Sequence, residues 1–203
     1  MKSIAVTGTI GSGKSALSRI LKDMGYPVFD CDQVCHSYLE KQGLLYHQVV
    51  ELLSEDVLDE NKNIDRKKVS ALIFHDKELK KRYEQMFHEA LKAQLKEKIT
   101  ESELFFAEVP LLFETGFDEL FDECWLVICD QKIAIERCMK NRGMSEEDVL
   151  LRMSHQMSTE EKIKRADVIF INNTTLDELR CQVEEVLKGM KLYGTACKNS
   201  LSD

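Results

Sequence analysis

Gly8-Thr9-Ile10-Gly11-Ser12-Gly13-Lys14-Ser15 follows the apolar stretch Ile4-Ala5-Val6 and precedes Ala16-Leu17-Ser18-Arg19-Ile20-Leu21, whose apolar residues recur at helical spacing. The octet satisfies G-x-x-x-x-G-K-[ST], and strand, glycine loop and helix stand in the order that a phosphate-binding loop requires. Glycines permit backbone conformations that side chains forbid, so successive N–H groups can turn inward on an anion. The start of the following helix adds partial positive charge. Lys14 is then placed to reach the β- and γ-phosphates of a nucleotide, and the Ser15 hydroxyl to ligate Mg²⁺. Gly8, Gly11, Ser12, Gly13, Lys14, Ser15 and Ala16 are the candidate nucleotide-binding residues. A chance glycine-rich turn is the alternative, and it leaves both flanks unaccounted for.

Outward from this loop, composition bounds the rest. With 203 residues the chain is long enough for one domain with insertions. A content of 43% hydrophobic and 32% charged residues is that of a globular protein. No apolar run approaches the roughly 20 residues of a membrane span, and Met1-Lys2-Ser3 leads straight into the first strand, so no signal peptide is expected. A net charge of −8 argues against nucleic acid or a membrane surface as partner. Cys31, Cys35, Cys124, Cys129, Cys138, Cys181 and Cys197 form no C-x-x-C pair. They read mostly as buried thiols of a reducing cytoplasm rather than as disulfides or a zinc site.

Five short apolar runs read as strands of a parallel sheet covered on both faces: Ser3–Thr7, Val28–Asp30, Leu104–Val109, Trp125–Cys129 and Val168–Ile171. Helical patterns lie between them, two opened by the capping-box sequences Ser158-Thr159-Glu160-Glu161 and Thr175-Leu176-Asp177-Glu178. The expected fold is α/β, a doubly wound five-stranded parallel sheet of the P-loop type. Between the second and third strands lie about seventy residues, far more than one crossover helix needs. Within them, Asp76–Glu101 carries Leu79, Tyr83, Phe87, Leu91 and Leu95 on one face. This insert reads as a helical substrate lobe beside the carboxyl ends of the strands, where open α/β sheets bind ligands. A second insertion groups Arg137, Lys140, Arg142, Arg152, Lys162, Lys164 and Arg165. It is either a solvated basic face or a lid that closes arginines over a triphosphate. The expected division is a nucleotide-binding core at 1–33, 103–136 and 160–191, a substrate insert at 34–102, a lid at 137–159 and a flexible tail at 192–203.

Acidic residues end two strands. Asp30 and Asp32 point the same way if the second strand continues. One can then serve the metal or a neighbour while the other takes a proton from an attacking hydroxyl; the alternative is that Asp32 caps a helix. Glu108 emerges from the third strand where a metal-binding carboxylate belongs in P-loop enzymes.

Taken together these residues resemble the dephospho-coenzyme A kinase family. The resemblance rests on Thr7-Gly8 leading into the loop, Asp30-x-Asp32 with His36, and Pro110-Leu111-Leu112-Phe113-Glu114. Further on it includes Arg142-Gly143, Arg152-Met153-Ser154-His155-Gln156-Met157, and Ala166-Asp167 leading to Asn172-Asn173. The chain departs from the family pattern at Thr9, where a glycine is usual, at Glu108, where Asp is common, and at His88-Glu89, where His-Pro is usual; without the proline a helix can run on. The resemblance implies ATP and Mg²⁺ as cofactors, dephospho-coenzyme A as the partner substrate, and transfer to its ribose 3′-hydroxyl. It implies Lys14, Asp32, Arg137 and Arg142 as catalytic residues, with Arg152 a weaker lid candidate, and Ser15 and Glu108 at the metal. A different nucleoside or small-molecule kinase would share the loop and lid but not the insert. A GTPase switch would need Asn-Lys-x-Asp, and Asn61-Lys62-Asn63-Ile64 lacks the aspartate.

Overall fold

The computed structural model describes the backbone of residues 1–199 and the side chains of residues 1–190, so the tail expected at 192–203 and the Cys197 thiol lie outside the described residues, except for the backbone of 192–199. In chain order the elements are β1 (Lys2–Gly8), α1 (Lys14–Asp23), β2 (Val28–Asp30), α2 (Cys31–Ser37), α3 (Tyr46–Leu53), α4 (Arg66–His75), α5 (Lys77–Ile99), β3 (Leu104–Glu108), β4 (Glu123–Ile128), α6 (Gln131–Arg142), α7 (Glu146–Ser154), α8 (Thr159–Arg165), β5 (Val168–Ile171) and α9 (Leu176–Asn199). Two compact units result: Lys2–Phe29 with Leu104 onward, and Asp30–Glu103 with Met1. Asp30–Gln33, attached to the core in the sequence reading, falls in the helical unit.

The first unit is built on a parallel sheet of order β2-β3-β1-β4-β5. β1 is central, pairing Val6 with Glu108 of β3 on one side and with Trp125 of β4 on the other. The chain moves one way from β1 to β2 and the other way from β3 to β4, so the carboxyl end of β1 is the switch point at which α/β sheets bind ligands. Ile4, Val6, Phe106, Trp125 and Phe170 line one sheet face and meet Leu17, Ile20 and Leu21 of α1 and Leu179, Val183 and Leu187 of α9. Phe106, Trp125 and Phe170 form a row across three strands, with centroid separations of 5.4 and 5.2 Å. Such pairs contribute about 0.5–1.5 kcal/mol each beyond area burial.

The expectation of strands covered on both faces holds for β1, β3 and β4 but not for β5. Phe170 is buried while Ile169 and Ile171 on the opposite face stay 39% and 54% exposed. β5 is an edge strand, and alternation is what a half-covered strand shows. Gln182 occupies part of its open edge, accepting from the Ile171 N–H at 3.0 Å and donating to its carbonyl at 2.9 Å.

In the helical unit, Asp76 caps α5 by accepting from the Leu79 N–H at 2.9 Å. Leu91 and Leu95 of its stripe are buried, while Leu79, Tyr83 and Phe87 are half-buried. α5 runs without a break through His88-Glu89. Tyr38, Phe87 and Tyr83 stack in series, and the Tyr38 hydroxyl donates to Gln94 at 2.5 Å.

Of the two expected capping boxes, the one at Ser158 is complete. At Thr175 the hydroxyl accepts from the Glu178 N–H at 3.3 Å, but the Glu178 carboxylate takes the Thr174 hydroxyl. The neighbouring threonine is the nearer donor. Among the described residues no helix is long and apolar enough to cross a membrane. Of the six described cysteines, Cys31, Cys124 and Cys138 are buried, Cys35 and Cys129 are half-buried and Cys181 is exposed, all as free thiols. The mostly buried set expected from sequence is thus buried in half its described members.

Candidate active site

The loop between β1 and α1 folds as its glycines require. Gly13 has φ of 106°, and a Cβ there would stand 2.1 Å from Asn172 Nδ2. Gly11 has φ of 77°, and a Cβ would stand 2.4 Å from the Ala134 carbonyl of α6. Both positions combine a left-handed backbone with close approach, so only glycine fits. Two side chains hold the loop from outside and one from within. Asn172 Nδ2 donates to the Ser12 carbonyl at 2.8 Å, the Ile10 N–H donates to Gln156 Oε1 at 3.0 Å, and Lys14 Nζ donates to the Gly8 and Thr9 carbonyls at 2.9 and 3.2 Å.

The cavity inside the loop measures about 330 Å³ and is lined by Gly11, Gly13, Lys14, Ser15 and Ala16 on one side and by Arg137 and Arg142 of α6 on the other. Arg137 is half-buried and donates to the Asn172 carbonyl at 2.9 Å, so it ties α6 to the end of β5 as well as facing the cavity. Arg142 ends α6 and is exposed. Arg152, on α7, is not among the lining residues.

Glu108 is the last residue of β3 and is 8% exposed. The Ser15 hydroxyl donates to its Oε1 at 2.9 Å. A hydroxyl and a carboxylate at this separation are hard oxygen donors of the kind that Mg²⁺ takes, with its remaining positions left to phosphate and water. Among the described residues no group of three or more His, Cys, Asp or Glu is placed to hold a metal ion.

The aspartates are placed differently from expectation. β2 stops at Asp30 and α2 starts at Cys31, so the two side chains do not share a strand face. Asp30 is the N-cap, accepting from the Gln33 N–H at 3.0 Å. Asp32 lies exposed in the first turn of α2, in the helical unit. The cap foreseen for Asp32 therefore falls to Asp30. Burial, and then the Asp32 carboxylate, raise the Cys35 thiol to about 11, so this cysteine stays protonated.

The sequence reading gave no cavity role to Arg19 and only a motif place to Asn172. Arg19 lines the cavity from α1. It stands four residues after Ser15 and off the Leu17, Ile20, Leu21 stripe, a helical offset that marks it as facing the loop's mouth. Asn172 was visible only as part of a resembling motif, since nothing local marks an asparagine at a strand end as a loop clamp.

With this geometry in view, comparison with known proteins is direct. A family model described as dephospho-CoA kinase matches residues 2–178. An Aquifex aeolicus protein named dephospho-CoA kinase is 39% identical over 190 residues, spanning 92% of this chain and 96% of its own length. A Thermus thermophilus crystal structure superposes with a TM-score of 0.81 at 33% identity, covering 93% of this chain and 97% of the other. The structure of a dephospho-CoA kinase from Campylobacter jejuni gives 0.70 at 28%, covering 93% and 96%. The chain belongs to the dephospho-CoA kinase family.

Proposed function

We propose that the chain transfers the γ-phosphoryl of ATP to the ribose 3′-hydroxyl of dephospho-coenzyme A, the final step of coenzyme A synthesis. The observation that carries this reading is the convergence of the loop residues Gly11, Gly13, Lys14, Ser15 and Ala16 with Arg137 and Arg142 on one cavity, with Ser15 and Glu108 paired 2.9 Å apart. Family membership supplies the acceptor.

In this scheme the amides of Gly11 to Ala16 cradle the phosphates. Lys14 leaves the Gly8 and Thr9 carbonyls for the β- and γ-phosphates, and Arg142 closes over the transferring group with the 137–159 lid. Ser15 and Glu108 would hold Mg²⁺, which when bound would offset the negative charge of the phosphates. Asp32 accepts the 3′-hydroxyl proton as that oxygen bonds to the γ-phosphorus and the bond to the bridging oxygen of ADP breaks. Transfer of this kind depends mainly on positioning and electrostatics. The helical unit carries an open groove of about 560 Å³ along Tyr38, Leu44, Ala90 and Gln94, which supports its role on the acceptor side. The reading extends to a cytoplasmic enzyme, and the charge of −8 argues against nucleic acid or a membrane surface as its partner.

A coupled ADP-release assay across dephospho-coenzyme A, adenosine, AMP and shikimate tests the acceptor. Dephospho-coenzyme A should exceed the others in kcat/KM by orders of magnitude. Equal turnover of AMP would leave a kinase with a different substrate.

A further inference from the structure

Ile10 belongs to the phosphate loop but is not among the residues that line the cavity. Its side chain, 7% exposed, packs with Cys138 of α6 and Val149 of α7, and Ile135, Met144 and Met153 close around them. Its N–H is taken by Gln156 Oε1, from just beyond the end of α7 and 146 residues away in sequence. Both the side chain and the amide of one loop residue are thus committed to the segment that carries the basic cluster.

Gln156 is itself seated by a chain of polar contacts. The N–H of the next residue, Met157, donates to Glu114 Oε1 at 2.9 Å. The same oxygen meets Lys162 Nζ at 2.8 Å, and the Lys162 side chain is 0% exposed. An ammonium in that setting costs several kcal/mol unless paired, and replacing such a buried pair by apolar residues of similar volume is often no worse for stability. Next to it, Arg165 donates to the Phe113 carbonyl at 3.3 Å, pairs with Asp118 at 2.5 Å and lies 4.9 Å over the Phe113 ring. α8 is therefore locked to the loop after β3 at several points, and through Glu114 this anchor reaches Met157 and Gln156. Burial alone would raise the Glu114 carboxyl, but Lys162 and the backbone N–H groups outweigh it and hold the group below its ordinary range. The Glu114 carboxyl is therefore ionised throughout neutral pH.

We propose that Gln156 is a positioning residue of the phosphate loop: seated by the Glu114–Lys162 pair, it draws the Ile10 N–H away from the cavity and couples the placement of α7 to the loop's readiness for a triphosphate. Pre-organising a loop in its binding shape raises affinity by removing the ordering cost from the binding step. The role deepens the kinase reading and rests on it, since it assumes that the loop takes a nucleotide.

The test compares Gln156→Met, which keeps length and removes the acceptor, with Gln156→Glu, which keeps an acceptor oxygen. ADP·Mg²⁺ affinity is read by calorimetry, and KM and kcat separately for ATP and dephospho-coenzyme A. Gln156→Met should weaken ADP and raise the KM for ATP by roughly tenfold, the scale of one neutral hydrogen bond. The KM for dephospho-coenzyme A should stay within about twofold and the Gln156→Glu variant should recover most of the loss, as expected when one acceptor is exchanged for another. The Ile10 amide of the nucleotide-free wild-type protein should exchange slowly with solvent, a readout that needs no variant. Wild-type ADP affinity in Gln156→Met, equal losses in both variants, or a fast-exchanging Ile10 amide would overturn the proposal. Failure of the acceptor assignment would show separately, as intact ADP binding without transfer to dephospho-coenzyme A.

Discussion

The Ser15 hydroxyl and the Glu108 carboxylate, 93 residues apart in sequence, stand 2.9 Å from one another. β1 and β3 are adjacent parallel strands, and the register that sets Val6 beside Glu108 delivers the carboxylate to the first turn of α1. If this pair holds Mg²⁺, Glu108→Gln should raise the Mg²⁺ concentration for half-maximal activity by roughly tenfold or more, with the melting temperature nearly unchanged. Titration of activity against free Mg²⁺ at saturating substrates reads this. An unaltered titration would remove Glu108 from the metal site.

Lys14→Ala should fold normally, because a single half-buried loop lysine adds little to stability. Its kcat should fall by roughly two or more orders of magnitude, since electrostatic stabilisation of the transferring group is the main catalytic contribution. Steady-state kinetics beside circular dichroism separate the two effects.

Asp30 and Asp32 now have distinguishable tests. Asp30→Ala removes the N-cap of α2 and should cost about 1 kcal/mol of stability. Asp32→Asn, at an exposed position, should leave stability alone and lower kcat by roughly 10² or more, with ATP affinity held within a few-fold. Denaturant melts with single-turnover kinetics check both, and a stability loss in Asp32→Asn without a kinetic one would reverse the assignment.

How much of this was legible in the sequence follows from the range of each interaction. The loop, the five strands and the α5 stripe are local patterns with fixed periods, and they were read to within a few residues. The second strand was read to its true end at Asp30, but whether it continued to bring Asp32 onto the same face was left open, because Asp30 suits both a strand end and a helix cap and only the turn into α2 decides. The open face of β5 was misjudged because Val168-Ile169-Phe170-Ile171 is equally apolar at every position, so the sequence does not reveal which side stays uncovered. Glu114, Lys162 and Gln156 are joined over tens of residues, and a lysine at 0% exposure is the opposite of what composition leads one to expect.

The Glu114–Lys162 pair gives an asymmetric prediction. Lys162 is fully buried and Glu114 keeps 18% exposure, so removing the carboxylate strands an ammonium, whereas removing the lysine leaves a carboxylate that still accepts from the Met157 N–H. Glu114→Ala should cost roughly 3 kcal/mol or more and Lys162→Met distinctly less. The folded carboxyl is held below its usual value. Its stabilisation is therefore complete above the unfolded value of about 4.3 and is lost as pH falls through the lower folded value. The wild-type advantage over Glu114→Ala should be flat from about pH 6 to 8 and shrink below about pH 4. Thermal melts across that range measure it.

The central claim is the transfer itself. Purified protein incubated with ATP, Mg²⁺ and dephospho-coenzyme A should yield a product heavier by one phosphoryl group, and phosphorus NMR should place that group on the ribose 3′-oxygen. Product with the new phosphoryl at any other position, or ADP formed without a phosphorylated acceptor, would contradict the account.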